Sequence, residues 1–327
     1  MLDLFAAQTH VDPETYRSPA TFRALVDRFA GHAAAARGDG GALLVFPENV
    51  GTFLPFALAG GGGVPALAAA KAALRQPRAF LSALRQLRRP VLAALASVAS
   101  DVRGLLSEAF GDAARREGLC IVGGSALLPG ADGRVHNLSP FFDADGRLLR
   151  ETRKVNLVPT MEDAAGMGLA PGPSADLGPV DCAAGRVATL ICYDGFCVPH
   201  TRSEPLFTPV VDRVADADVV AHPAANPWPW DGPWIHARPD DESRDWMRRE
   251  QWRLEGIERS LVELPAGARL RYAVTAHLLG GLAGERFEGR SVILERDAQG
   301  VRRLAEAPGY APYPSNAALV HARVPSP

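Results

Sequence analysis

Ten short runs of apolar, β-type residues recur along the chain, several of them separated by longer stretches with helical patterning. They read LDLFAAQ, ALLVFPE, LCIVGGSALL, RVHNLSPFF, RLLRETRKV, RVATLICYD, ADVVAHPAA, RYAVTAHLLGG, SVILERD and AALVHARV. Ten such runs exceed a small barrel. Some, notably HNLSPFFDADGRLLRE, read as an antiparallel hairpin around Asp145-Gly146, whereas others are separated by helices. Helices are expected over about 18–36, where Ser18 suits an N-cap and Pro19 the first turn, and over about 101–117, 204–216 and 241–258. This mixture predicts an α/β fold of two packed sheets covered by helices, without solenoid repeats.

At 327 residues, 47% of them apolar and 22% charged, the chain is long enough for one large core, and a single domain over 1–327 is expected. The formal net charge of -2 argues against a general nucleic-acid binder, which needs a basic excess or a basic face. Cys120, Cys182, Cys192 and Cys197 form neither a CxxC pair nor a ligand-like Cys/His spacing. Neither a disulfide framework nor a zinc site is therefore indicated, and reduced thiols in a cytoplasm are expected. The opening MLDLFAAQTH carries Asp3 where a signal peptide has basic residues, and its apolar run is too short for export or spanning.

Residues 54–100 stand apart. They hold no acid but six bases, Lys71, Arg75, Arg78, Arg85, Arg88 and Arg89, set in Ala and Leu and interrupted by Gly60 to Gly63, Pro77 and Pro90. The uncharged stretch from Asn49 to Ala70 is long, but four consecutive glycines and two prolines argue against a spanning helix. The segment reads as an inserted set of short amphipathic helices. It would form a lid or a contact surface, its basic face either solvated or directed at an anionic partner such as a membrane surface.

Three residues have chemical potential. Cys192 ends the run ATLIC just before YDG, where the backbone must turn; Glu48 follows a buried run and a proline in LLVFPENVG; Lys154 sits among apolar residues in RETRKVNLVP. Taken singly, each has a mundane reading, as a small buried hydrophobe, a loop acid and a snorkelling strand lysine. No HExxH, GxSxG or phosphate-loop motif competes with them, and the eight histidines are scattered without ligand spacing.

Their order and context change that weighing. Glu after FP at a strand end, Lys in KVNLVPTME, and Cys in LICYD resemble the three boxes of the nitrilase, or carbon-nitrogen hydrolase, superfamily. The resemblance extends from FAAQ through GGSAL, HNLSPFFDADG and DADVVAHPAANP to FEGRSVIL. It implies a four-layer αββα sandwich, a homodimer or larger homo-oligomer, a Glu48-Lys154-Cys192 triad and no cofactor. It also implies that Glu162 holds the Lys154 ammonium and helps bind substrate; Asp163 takes that role if the loop is shifted.

The physics of such a triad answers why a thiol would close a buried strand. A free thiol ionises near ~8.5, so a base is needed at neutral pH, and attack on an amide or nitrile builds negative charge that Lys154 and the backbone N–H of Tyr193 would stabilise. Tyr193-Asp194 after the cysteine resembles amidase branches, whereas GFCVPH departs from the CYD-x-RFPE continuation, so no ω-amidase specificity carries over. All five tryptophans lie between Trp228 and Trp252, suiting a pocket wall or a subunit contact, with Asn226 and Trp228 expected to line the site beside Tyr193. The reading is a thiol-dependent amidase acting on a small-molecule amide. A nitrilase or N-acyltransferase using the same triad, or a catalytically silent interaction protein, is the alternative.

Overall fold

Strict alternation along the strands buries both of their faces, and that decides the architecture. In β1 (Leu2–Val11), Leu4 and Ala6 point to one side and Phe5 and Ala7 to the other, all fully buried. The computed structural model describes residues 1–59, 71, 74–201, 204–236, 242–282 and 284–326. Among these are β2 (Gly41–Val45), β3 (Cys120–Val122), β4 (Ala126–Pro129), β5 (Val135–Phe142), β6 (Leu148–Arg153), β7 (Val180–Cys182) and β8 (Gly185–Thr189). They continue as β9 (Val219–Ala224), β10 (Tyr272–Leu282), β11 (Glu285–Phe287), β12 (Val292–Asp297), β13 (Gly300–Glu306) and β14 (Ala318–Val324).

One half of the sheet runs β4-β5-β3-β2-β1, with β6 on β5 and β14 on β1; the other runs β10-β9-β8-β7, with β12 and β13 beyond β10. The halves join where the ends of β1 and β10 run parallel, Thr9 to Val11 against Leu278 to Gly280. They then pack face to face. Leu4, Leu43, Val45 and Val122 from the first half meet Val187, Ala221, Tyr272 and Val274 from the second in one dry layer.

The outward faces are covered by helices. Phe22, Val26, Phe29 and Ala33 of helix Pro19–Ala36 recur at helical spacing and pack with Phe5, Leu44, Phe46 and Phe110, while Ser18 Oγ accepts the Thr21 N–H as its cap, as the sequence predicts. On the other side Ile257 and Leu261 of helix Ile257–Glu263 cover Val220, Ala273 and Leu294. The layers are thus helix, sheet, sheet, helix, the expected αββα sandwich. Each fully buried Leu, Ile or Phe contributes roughly 1.5–3 kcal/mol.

Local expectations fare unevenly. The helix expected over 204–216 is absent: Pro205 and Pro209 break it, leaving a 3-10 turn at Val211–Val214. That over 241–258 is a 3-10 turn at Glu242–Asp245 followed by Arg248–Glu255, ended by Gly256, with Ile257–Glu263 beyond. LCIVGGSALL is two strands, broken at Gly124, which turns with φ 63° so close to Pro47 that a Cβ would lie 2.1 Å from its carbonyl oxygen.

Residues 60–70 of the uncharged stretch from Asn49 to Ala70, Gly60 to Gly63 among them, lie outside the described residues. The described part of 54–100 holds helices Leu54–Leu58, Pro77–Leu87 and Pro90–Ser97. Helix Pro77–Leu87 buries no residue, whereas Leu92 packs on Leu127, Val135 and Leu169. No single helix among the described residues is long and apolar enough to cross a membrane; the bent pair Pro90–Ser97 and Ala99–Glu117 turns by 54° and buries Leu92, Val102, Leu105 and Phe110 in the core.

Candidate active site

Three strand ends deliver the three reactive side chains. After β2, Phe46 donates its N–H to the Val122 carbonyl, and the turn is pinned by Asn49 N–H to Ser125 Oγ at 2.9 Å and Gly51 N–H to the Ser125 carbonyl at 2.9 Å. Glu48 lies between these anchors. After β6, the Lys154 N–H bonds the Asn137 carbonyl at 2.9 Å, and its own carbonyl accepts from Gly172 at 2.7 Å. After β8, Cys192 opens a 3-10 turn, Cys192–Gly195, with φ 49°. A positive φ at a non-glycine residue is strained, and neighbours must hold it.

Those neighbours are identifiable. The buried Asp194 carboxylate accepts N–H bonds from Ile191 on its own turn and from Val155 and Asn156, the two residues after Lys154, the last at 2.7 Å. One carboxylate thus couples the cysteine turn to the lysine loop. The His222 ring bonds the Cys192 carbonyl through Nε2 at 2.8 Å and Thr275 Oγ1 through Nδ1 at 3.0 Å. Burial pulls His222 down to about 4, so the neutral ring donates Nε2–H to the carbonyl and accepts from the Thr275 hydroxyl. Gly195 must be glycine here, since a Cβ would stand 2.6 Å from that ring.

The side chains converge on one cavity of about 350 Å³ lined by Glu48, Lys154, Glu162 and Cys192, with Phe53, Val158, Met161 and Phe287 supplying apolar wall. Lys154 Nζ donates to Glu48 Oε1 and to Glu162 Oε2, each at 2.7 Å, at a site where the lysine is 1% exposed. An ammonium has three N–H donors, so one remains for a ligand. Asn137 Nδ2 bridges the same carboxylates, at 2.9 Å to Glu48 and 3.2 Å to Glu162, while the Val158 N–H holds Glu162 at 2.9 Å. The Cys192 thiol donates to the Ala225 carbonyl at 3.4 Å.

Burial dominates the electrostatics. It raises Glu48 above the usual carboxylate range, partly offset by the Lys154 charge and reinforced by that of Glu162. It also raises Cys192 well above an ordinary thiol, with the Glu48 charge adding to the effect. Burial alone would pull Lys154 down, but Glu162 and Glu48 outweigh it and hold the ammonium well above the usual lysine value. Cys192 therefore rests as the thiol and Lys154 as the ammonium. Asp194 is pushed up to about 7 by burial, against the pull of its backbone N–H donors.

The carbon-nitrogen hydrolase family model matches residues 11–202 of this sequence. The chain belongs to that family. No curated protein matches it in sequence. Solved structures similar to this carbon-nitrogen hydrolase include an amidase from Nesterenkonia sp., at 19% identity and TM-score 0.61 over 99% of this chain and 90% of that one. Another is a mutant of the amidase from Nesterenkonia sp. AN1 showing the result of Michael addition of acrylamide at the active site cysteine, at 19% identity and TM-score 0.59, covering 99% and 94%. A third is a mutant of that amidase in complex with butyramide, at 19% identity and TM-score 0.60, covering 99% and 91%. These likenesses establish the nitrilase-type fold.

Not every expected site residue of this hydrolase reaches the cavity. Glu48, Lys154, Cys192, Glu162 and Trp228 do. The Tyr193 side chain does not: it is buried beneath the turn, its hydroxyl donating to Glu204 at 2.6 Å, which leaves only its backbone to face a ligand. Asn226 is also withdrawn from the cavity, because its amide donates to the carbonyls of Trp228 and Glu288 and its Oδ1 accepts from Arg248. Asp163 caps its own loop through the N–H groups of Thr160, Ala165 and Gly166, so the acid on Lys154 is Glu162.

Other participants went unnoticed in the sequence. Asn137 sits in mid-strand, where Asn is uncommon, and that oddity was its only signal. Arg248 and His200 both line the cavity and are both almost fully buried; one looks like a helix-surface arginine and the other like a loop histidine. No residue of 54–100 among those described lines the cavity; Arg89 braces the loop carrying Glu162, donating to the carbonyls of Ala164 and Gly166, both at 2.6 Å. A larger cavity of about 490 Å³ behind Trp230 and Trp252 holds none of the three reactive side chains, and its arginines include ones paired in Arg249–Asp231 and Arg303–Glu258.

Proposed function

We propose that the chain is a thiol-dependent amidase that cleaves a non-peptide amide through a thioester on Cys192. The observation that carries this reading is the convergence of Cys192, Glu48 and Lys154 on one small cavity, with the thiol on a strained turn tied to the lysine loop. In acylation Cys192 Sγ attacks the carbonyl carbon while Glu48 accepts the thiol proton. The third N–H of Lys154 and the backbone N–H of Tyr193 meet the developing oxyanion; each such donor is worth roughly 3–4 kcal/mol of barrier.

Collapse of that intermediate breaks the C–N bond, and Glu48 returns the proton to the departing amine. Water then attacks the thioester, giving its proton to Glu48. The C–S bond breaks, the acid leaves, and the thiol is restored from Glu48. One carboxylate serves both halves because burial raises its affinity for protons, which suits it to accept a proton and then return it.

The solved amidases, one with acrylamide joined to its active site cysteine, support an amide as the substrate class. The direct test is intact-mass spectrometry of the protein mixed with a panel of aliphatic and aromatic amides, with ammonia release followed in parallel. An acyl mass mapped to Cys192 and lost in Cys192→Ala is the expected result. Ammonia release undiminished in that variant would overturn the reading.

A further inference from the structure

We propose that Cys120 and Cys182 are an oxidisable thiol pair, closed by a hydroperoxide into a disulfide that staples one half of the sheet to the other.

The two cysteines come from opposite halves. Cys120 opens β3, level with Leu43 of β2, and Cys182 ends β7, where the chain turns into β8. Both pack in the dry layer between the halves. The approach there is close: a Cβ on Gly41, at the start of β2, would stand 2.0 Å from the Ala183 carbonyl oxygen, so only glycine admits the β7–β8 turn against this edge. The Cys182 S–H donates to the Cys120 sulfur, and the N–H groups of Ala184 and Ala183 point at the same sulfur. Both thiols are free.

That arrangement favours a thiolate. The Cys182 thiol lowers Cys120 from the ordinary thiol value, against burial, and the Ala184 and Ala183 N–H groups lower it further; the same hydrogen bond, with burial, raises Cys182. Once one proton leaves the pair, the other is shared between two sulfurs, and either can carry the charge. The remaining cysteines have no such partner. Burial raises Cys192 well above an ordinary thiol and Cys197 to about 11.

The pair is also within reach of a small oxidant. Cys120 is 1% exposed, but Cys182 is half-buried and lines an open cavity of about 480 Å³ with Leu2, Gly41, Gly185 and Arg269. This cavity lies at the far end of the strands from the triad. Gly41 and Gly185 begin β2 and β8, whereas Glu48 and Cys192 follow the other ends of those strands.

The thiolate attacks the outer oxygen of the hydroperoxide, ROOH. The O–O bond breaks, the sulfur becomes a sulfenic acid, and the alkoxide leaves as ROH with the proton that the thiol had lost. The second sulfur then attacks the sulfenic sulfur as a thiolate. An S–S bond forms, the S–O bond breaks, and hydroxide departs as water with the second thiol's proton. Two thiols are oxidised, and one peroxide is reduced to ROH and water.

The test treats the folded protein with hydrogen peroxide, alkylates the remaining thiols with iodoacetamide under denaturing conditions, and reads intact mass and a peptide map. Alkylation should fall from all four cysteines to Cys192 and Cys197 alone, with Cys120 joined to Cys182 inside a single chain. Dithiothreitol should restore all four. The oxidised protein should melt about 5 °C higher, since the bridge closes a long loop. Cys182→Ser should abolish both the link and the rise.

Four thiols that survive excess peroxide overturn the proposal, as does oxidation of Cys192 or Cys197 while the link stays unformed, or a link between chains rather than within one. A melting temperature that does not rise when the link forms overturns the staple. Should Cys182→Ser fail to fold, the peptide map and melting curve of the wild-type protein decide by the same outcomes.

Discussion

The two ends of the cavity are built on opposite principles. At the triad end Lys154 answers two carboxylates, Asn137 bridges them, and the Cys192 turn and lysine loop share Asp194. At the tryptophan end a guanidinium is held by neutral amides and indoles, beside a histidine with no hydrogen-bond partner. One end pairs its charges directly; the other holds its cation mainly among neutral groups. The difference teaches where each cost falls. Groups that must be poised for bond-making are held in place by their partners in the resting protein, so little reorganisation is needed when charge develops. At the tryptophan end the desolvation of the guanidinium is offset by amide oxygens, indole faces and the nearby Glu255 charge.

The sharpest way to break this contrast is to remove the cation from each end. Lys154→Met should lower kcat by at least ~1000-fold, since it removes oxyanion stabilisation and the charge that favours ionised Glu48. It should also cost about 3–5 kcal/mol of stability, because two buried carboxylates lose their counter-charge. Arg248→Met strands the amide oxygens of Asn226 and Gln251 and takes a favourable charge from the nearby Glu255, which has another partner in Gln251, at about 1–3 kcal/mol. Urea unfolding of the two variants checks the ordering. A larger loss for Arg248→Met would mean that the tryptophan end, not the triad end, is the structurally closed one.

Much of the contrast was legible in the sequence, but only on one side. Cys192 before a turn, Glu48 after Phe-Pro and Lys154 in a β-type run are local signals, since each reactive side chain sits at a strand end that periodicity and a turn residue locate. The αββα layering was legible for the same reason: runs such as ALLV are apolar on both faces. The helix over 204–216 misled because Val210, Val211 and Val214 are apolar while Pro205 and Pro209 forbid it. Arg248 was invisible because its burial against Trp228, Trp234 and Trp252 is set by tertiary packing that no spacing along its helix encodes. Asn226 was placed in the site for its position after β9, but its amide turned to the Arg248 guanidinium instead.

A subtler change sharpens the triad end from within. Glu162→Gln retains a side chain able to accept from Lys154 but removes a charge that helps raise Glu48. Activity needs Glu48 ionised, so it is lost as pH falls through the Glu48 value. Burial places that limb above the ordinary ~4.3 of a glutamate. Without the second negative charge the limb should move to lower pH. Lys154, which starts well above the usual lysine value, stays protonated across that range. A fall of about tenfold in kcat with an acid shift of the kcat/KM profile is expected. An unmoved or alkaline-shifted limb would show that Glu162 does not act on the base electrostatically.

The smallest effect should come from the brace rather than the charge. Arg89→Ala deletes two hydrogen bonds, to Ala164 and Gly166, that tie the 54–100 segment to the loop bearing Glu162. Met167 bonds Met161, and Leu169 bonds Glu162, within the same loop, so the loop has other ties. The carboxylate itself stays anchored by the Val158 N–H and by Asn137. Freed of one tie, the loop would sample positions in which Glu162 holds Lys154 less well, a loss in orientation worth about threefold to tenfold in kcat. Because no charge leaves the cavity, the acid limb should stay where it is in the wild-type protein. That pairing of a lowered kcat with an unmoved limb separates a mechanical support from Glu162→Gln, in which both change. A shift of the limb in Arg89→Ala would place the arginine's charge, rather than its two hydrogen bonds, at work on Glu48.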